Sequence, residues 1–279
     1  MKKIILLKSL GMYLLYQLYA FINFLLFISG LYYDYNILGS KNLFNNMKYQ
    51  LSFFKVRLRE YYLNNKITGN TNTIFLSNHR GISDYFIDSY ITGGSSYLSR
   101  LGVIYLLPFP SISSWLQDNI IFFRRTKIKN KDKFESMIKR KVQKYNLIIY
   151  PEGTRQLTNH SLSLKYGLIR CAYRQNISVQ IIITTNKEDV WSIKKPSLKT
   201  GVTCTVYTSK VFHPKDFEDI SKWCDHIATE WMKTWKLAYH PETTHITTEP
   251  IRIPETNIHK NTINYPNLFL VRNILFFLF

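Results

Sequence analysis

Residues 73–84 read Thr73-Ile74-Phe75-Leu76-Ser77-Asn78-His79-Arg80-Gly81-Ile82-Ser83-Asp84, and the rest of the chain is best understood outward from them. Thr73–Leu76 is a short apolar run that stops in a polar turn, which is the pattern of a buried strand. The same pattern recurs downstream. Asn119–Phe123 ends at Arg124 and Arg125, Leu147–Tyr150 is stopped by Pro151, and Val179–Thr184 and Val202–Tyr207 are rich in β-branched residues. Between these runs, Lys131–Tyr145, Leu164–Gln175 and Lys215–Leu237 have helical spacing. The last places Phe217, Ile220, Trp223, Ile227, Trp231 and Trp235 on one face. This alternation predicts an α/β fold with a single, mostly parallel sheet flanked by helices. In such sheets, sites collect in the loops at the carboxyl ends of the strands.

Charge narrows the partners. The 279 residues hold 37 Lys and Arg against 18 Asp and Glu, a net charge of +19. A surplus of that size points to an anionic partner: nucleic acid, an anionic membrane or a phosphorylated substrate. The hydrophobic fraction of 46%, with 20 Tyr and 18 Phe, excludes a mainly disordered chain. Cys171, Cys204 and Cys224 are odd in number and widely spaced. They give neither a disulfide framework nor a zinc pair, and a reducing compartment is the expectation.

The N-terminus carries a membrane signal. Ser9 to Tyr33 holds no charged residue. As a helix of about 25 residues it reaches on the order of 37 Å, longer than a ~30 Å hydrocarbon core. An anchor is expected here rather than a cleavable signal peptide, because the apolar run is too long and lacks a small-residue cleavage site. Both flanks are basic: Lys2, Lys3 and Lys8 before it, Lys41, Lys48, Lys55, Arg57 and Arg59 after it. A bent hairpin in one leaflet reconciles this with one anionic, cytoplasmic face. Phe44, Met47, Leu51, Phe54, Leu58 and Tyr61 then form a helical stripe, read as a basic amphipathic helix lying on lipid or packed on the body. The division expected is 1–65 for membrane-associating helices, 66–239 for the α/β domain, and 240–279 for an irregular connector and an apolar tail.

Chemistry sits at three strand ends. His79 is suited to remove a proton near neutral pH, and Asp84 to fix its tautomer. On one straight helix residues five apart diverge. The two meet only if the chain turns through Gly81 and the helix begins near Ser83, a good N-cap. Arg124 and Arg125 offer a fork for a phosphate. Glu152-Gly153-Thr154-Arg155 combines backbone freedom with donors for phosphate oxygens, and Glu152 needs an Arg, a backbone N–H or a substrate hydroxyl as its partner. Taken singly, each has a plainer reading: a satisfied loop histidine, a solvated basic edge, a Pro-Glu-Gly-Thr turn.

In series, Asn-His-x4-Asp, a strand ending in Arg, and Pro-Glu-Gly-Thr-Arg resemble the glycerophospholipid acyltransferase family, above all the 1-acylglycerol-3-phosphate acyltransferases. The resemblance covers roughly Ser77 to Thr184. It implies that His79 is the general base and Asp84 its orienting partner. It implies that Arg125 holds the acceptor phosphate, and that Glu152, Gly153, Thr154 and Arg155 bind the acceptor. The implied reaction moves an acyl group from a thioester, acyl-CoA, to the free hydroxyl of lysophosphatidate, with no metal and no cofactor beyond that co-substrate. Acceptor and anionic lipid are then the partners, with no nucleic acid or protein. Asn119 stands where the family has Gly, and Val179–Ile183 lacks the proline of a fourth block. Lysocardiolipin-type branches are similar at the first position. Glycerol-3-phosphate or another lysophospholipid therefore remains an alternative acceptor, and a non-enzymatic basic tether is the rival of another class.

Overall fold

The computed structural model describes residues 2–29, 43–61, 65–116, 120–124, 130–240 and 247–254. In chain order its elements are α1 (Lys2–Ser29), α2 (Leu43–Phe53), β1 (Arg57–Tyr61), β2 (Thr73–Ser77), α3 (Asp84–Ile91), β3 (Ser96–Arg100), α4 (Val103–Leu106), α5 (Pro108–Leu116) and β4 (Ile120–Phe123). They continue with α6 (Lys131–Tyr145), β5 (Leu147–Ile149), α7 (Gly167–Arg174), β6 (Ser178–Thr184), α8 (Lys187–Val190), β7 (Trp191–Ser192), β8 (Ser197–Leu198), β9 (Thr203–Phe212), α9 (Ile220–Tyr239) and β10 (Thr248–Pro250). Arg125 and Asn119 lie outside the described residues, as does the apolar tail 265–279.

Among the described residues, eight strands form the main sheet in the order β10-β1-β9-β6-β2-β5-β3-β4. Every pairing is parallel except β1 with β10 and β6 with β9. The sheet is therefore mixed and mostly parallel. It is not the only one, since β7 and β8 form a separate two-stranded hairpin. Buried parallel strands need apolar cover on both faces. Ile74 and Leu76 of β2 point into a cluster with α6, α7 and α9, whereas Phe75 packs with Met47, Leu51, Phe86 and Ile87 of α2 and α3. This alternation makes three layers.

Several helices follow their end signals. Asn130 caps α6 by accepting from Lys133 N–H at 2.8 Å, and Asp219 caps α9 by accepting from Ser221 and Lys222. Trp223, Ile227, Trp231 and Trp235 are buried along α9. That helix begins later than its apolar spacing suggested, because Pro214–Asp216 form a separate 3-10 turn.

The stripe from Phe44 to Tyr61 is corrected. It is helix only to Phe53; Lys55 then adopts a left-handed φ of 51°. Lys55 N–H bonds to Ser52 O and Val56 N–H to Leu51 O, the paired bonds of a Schellman cap. Arg57–Tyr61 leave it as a strand in parallel register with Thr203–Val206. The Ser9–Tyr33 hairpin is corrected too. Lys2–Ser29 is one unbroken helix, and among the described residues no helix is long and apolar enough to cross a membrane.

One side of α1 is fastened to the body. Tyr13 hydroxyl donates to Leu106 O at 2.6 Å, Trp191 Nε1 donates to Ser9 Oγ at 3.3 Å, and Tyr16 meets Trp191 edge-on. The other side exposes Ile4, Leu7, Leu10, Leu14, Leu15, Leu18 and Leu25, each more than two-fifths exposed.

Candidate active site

The loops after β2, β5 and β6 meet because those strands are parallel neighbours in register. Leu76 pairs with Ile149 on one side and Ile181 on the other. His79 and Tyr150 therefore arrive together just past the strand ends, their rings stacked with centroids 4.4 Å apart.

The turn through Gly81 brings His79 Nδ1 to 2.7 Å from Asp84 Oδ2. The same carboxylate accepts Arg80 N–H at 2.6 Å and Gly81 N–H at 3.0 Å. Ser83 stands at the N-cap position of α3 but does not cap it. Its hydroxyl donates to Lys187 O at 2.6 Å, and Asp84 satisfies the turn instead. Burial raises the Asp84 carboxyl, but Lys187 and the bonds from His79 and Arg80 outweigh it and hold the group below the usual aspartate range. With Nδ1–H committed to Asp84, the Nε2 lone pair of His79 has no partner among the described residues. The side chain keeps 24% of its surface open.

The neighbours of His79 each fix the loop. Asn78 Nδ2 donates to Thr184 O at 3.0 Å, and Asn78 Oδ1 accepts from Thr184 N–H at 3.0 Å, tying the end of β2 to the end of β6. Buried Arg80 forms a two-pronged pair with Glu188, reaches Thr158 O at 2.8 Å and Leu157 O at 3.2 Å, and lies over the Tyr239 ring. Trp231 and Trp235 of α9 anchor the same loop through Ser161 Oγ and Asn159 O.

Glu152 has found backbone partners. It is 1% exposed, accepting His79 N–H at 3.4 Å and Leu162 N–H at 3.1 Å, and burial raises its carboxyl. Gln156 N–H donates to His79 O at 2.8 Å, so the loop grips His79 through both backbone groups. Gly153, Thr154 and Arg155 line a cavity of about 630 Å³ together with His79 and Asp84. That size is in the range of small-molecule sites, roughly 300–1,000 Å³. Leu98, Val103, Leu107, Pro110, Ile120 and Phe123 make its apolar side, and Tyr16 brings α1 into its wall. Arg100, Arg155 and Lys194 supply positive charge. Arg100 donates to Gly153 O at 2.9 Å, and Lys194 to Arg155 O at 2.7 Å. Arg124 is exposed at the end of β4, the edge strand.

Arg100, Lys187 and Lys194 escaped the sequence reading. Arg100 ends β3, a strand with too little apolar character to stand out, and Asn186-Lys187-Glu188-Asp189 reads as a solvated loop. Nothing in the spelling of that loop signals that Lys187 is buried.

A family model described as acyltransferase matches residues 54–185, just under half of the chain. Residues 54–185 belong to the acyltransferase family. The matched stretch runs from the end of α2 to just past β6 and contains His79, Asp84 and the Glu152–Arg155 loop. Among solved structures, the 1-acyl-sn-glycerophosphate (LPA) acyltransferase PlsC from Thermotoga maritima is similar, with 16% identity and a TM-score of 0.52. The alignment covers 85% of this chain and 98% of that one, and at this identity it speaks for the fold. No curated protein matches the sequence.

The turn itself is testable. A Cβ placed on Gly81 would sit 2.5 Å from the Trp191 carbonyl oxygen, which accepts Ile82 N–H. Gly81→Ala should destabilise the protein by about 1–3 kcal/mol in urea unfolding and lower turnover with it. Wild-type values for both would mean that the 81–83 turn does not depend on this close approach.

Proposed function

We propose that this chain is a membrane-bound glycerophospholipid acyltransferase. It moves an acyl group from acyl-CoA to the free hydroxyl of lysophosphatidate, giving phosphatidate. The observation that carries this reading is the Asp84-held His79, its Nε2 unpartnered, on a cavity with one apolar side and three cationic side chains. An apolar wall suits an acyl chain, and Arg100, Arg155 and Lys194 suit the acceptor's phosphate. The structurally similar Thermotoga maritima protein is an LPA acyltransferase, which supports the choice of acceptor.

In this mechanism Nε2 takes the proton of the acceptor hydroxyl as its oxygen attacks the thioester carbonyl. Asp84, anionic and bonded to Nδ1–H, stabilises the imidazolium that forms. The tetrahedral adduct collapses with cleavage of the C–S bond, and the imidazolium returns its proton to the departing thiolate. No acyl-enzyme forms. Gly153, Thr154 and Arg155 contact the acceptor, Arg125 joins them as a phosphate ligand, and Glu152 contributes by setting the loop's position.

The exposed leucine side of α1 would seat the protein on lipid. Its apolar residues form a continuous face, Lys8 lies beside it, and the opposite side of the helix walls the cavity through Tyr16. Such a seating lets a lysolipid enter the site without crossing water.

An acyl-transfer assay on purified protein tests the reaction. Lysophosphatidate, glycerol-3-phosphate and lysophospholipids with other head groups serve as competing acceptors. Lysophosphatidate should be preferred, and His79→Ala should lose ~10²–10⁴-fold in kcat. Preference for another acceptor would move the assignment within the class, and His79→Ala retaining more than about a tenth of the activity would remove His79 as the base. Sedimentation with vesicles containing anionic lipid tests the seating. Leu14→Glu with Leu18→Glu should weaken binding at least ~10-fold without changing the melting temperature. Unchanged sedimentation would rule out this face.

A further inference from the structure

Lys187 opens α8, and its side chain is 0% exposed. A buried ammonium persists only when its charge and its N–H donors are matched. Lys187 Nζ donates to Asn78 O at 2.7 Å, to both oxygens of Asp88 at 2.9 Å and to Ser77 Oγ at 3.2 Å; Asp84 Oδ1 lies 3.7 Å away. Asp84 and Asp88 are four residues apart on α3, one turn on the same side of the helix. Two carboxylates so placed and cut off from water repel each other strongly.

The groups facing this cluster come from every side. The β2–α3 turn supplies His79 and Arg80, the segment after β5 supplies Tyr150 and Glu152, β3 supplies Tyr97, α8 supplies Glu188, β9 supplies Cys204, and α9 supplies Tyr239. Arg80 is committed to Glu188. Among the described residues, Lys187 is the one Lys or Arg whose charged nitrogen lies within 4 Å of both Asp84 and Asp88.

We propose that Lys187 is a positioning residue for acyl transfer: by dividing one positive charge between two buried carboxylates it keeps Asp84 anionic beneath His79 and sets the proton affinity of the His79–Asp84 pair. This rests on the reading of His79 as the base. The pair must be free of its proton before the acceptor binds and must take one during the reaction. With Lys187 neutralised, two uncompensated anions would bind a proton more tightly, on a carboxylate or on the imidazole. The base would then be occupied, or its Asp partner neutral, near pH 7. With the charge of Asp88 removed instead, the pair would release its proton more easily. The balance is close. Burial pushes the Asp88 carboxyl up to about 6, with Asp84 adding to the rise and Lys187 opposing it.

The test compares Lys187→Met, Asp88→Asn and the double variant in the full-length protein. Two readouts are followed: the pH profile of kcat with the acceptor that the wild type uses, and the NMR titration of the His79 imidazole, assigned with His79→Asn. Lys187→Met should lose at least ten-fold in kcat at pH 7 with KM little changed, and its acid limb should move up by roughly one to three pH units. Asp88→Asn should move that limb down. The double variant, with one charge of each sign removed, should recover most of the lost kcat. A double variant as impaired as Lys187→Met, or wild-type kcat in Lys187→Met, overturns the proposal. If Lys187→Met does not fold by circular dichroism, Asp88→Asn decides, and an unmoved limb counts against it. If the wild type acylates none of the acceptors, the acyl-transfer reading fails separately. The His79 titration then decides alone, and a midpoint unmoved by Lys187→Met or Asp88→Asn overturns the proposal.

Discussion

The carboxylate of Asp84 is the constraint on which the site depends. It accepts His79 Nδ1–H and the backbone N–H groups of Arg80 and Gly81, so one side chain both closes the turn after β2 and orients the imidazole proposed as the base. A buried carboxylate holding two backbone donors has little freedom to move, and the imidazole inherits that rigidity. Fixing a base before substrate arrives removes reorganisation from the reaction step. The neighbouring elements serve the same end. Trp191 O holds the 81–83 turn, Glu152 and Gln156 grip the His79 backbone, and α9 anchors the loop that carries both.

The sequence was legible where local physics and tertiary packing agree. Thr73–Leu76 and Leu147–Tyr150 are apolar because their strands are buried on both faces. Lys131–Tyr145 is a helix whose spacing shows in the spelling. It was misleading where tertiary contacts override periodicity. Leu58 and Tyr61 continue the spacing of Met47 and Leu51, yet a left-handed Lys55 ends the helix, and lysine carries no signal for that conformation. β10 lies in a Pro- and Thr-rich stretch and is a strand only because β1 offers it an edge. For the candidate site, the pairing of His79 with Asp84 followed from the turn at Gly81. The turned-in carboxylate of Glu152 was one of three options its burial allowed. Lys187 was invisible because its partners, Asn78 and Asp88, are about a hundred residues away in the chain.

The net charge of +19 sorts itself by depth. Inside, cations are matched: Arg80 with Glu188, Lys187 with Asp84 and Asp88. Buried pairs of this kind fix geometry more than they add stability. At the cavity, Arg100 donates to Gly153 O and Lys194 to Arg155 O, carbonyls that carry no full charge, and among the described residues no carboxylate is paired with Arg100, Arg155 or Lys194. A surplus of cations there draws anions, and apolar walls beside them admit a chain. Both features fit the ligand proposed for the site, a lipid with a phosphate.

The central claim is direct transfer, with His79 acting on the acceptor's hydroxyl and no covalent intermediate. It is tested most directly by rapid-quench measurement of CoA release from acyl-CoA, with and without lysophosphatidate, alongside intact mass of the protein at each time. The account predicts CoA release only when the acceptor is present, one CoA for each phosphatidate formed, and a protein mass that never changes. A burst of CoA before acceptor is added, together with a protein heavier by one acyl group, would contradict it.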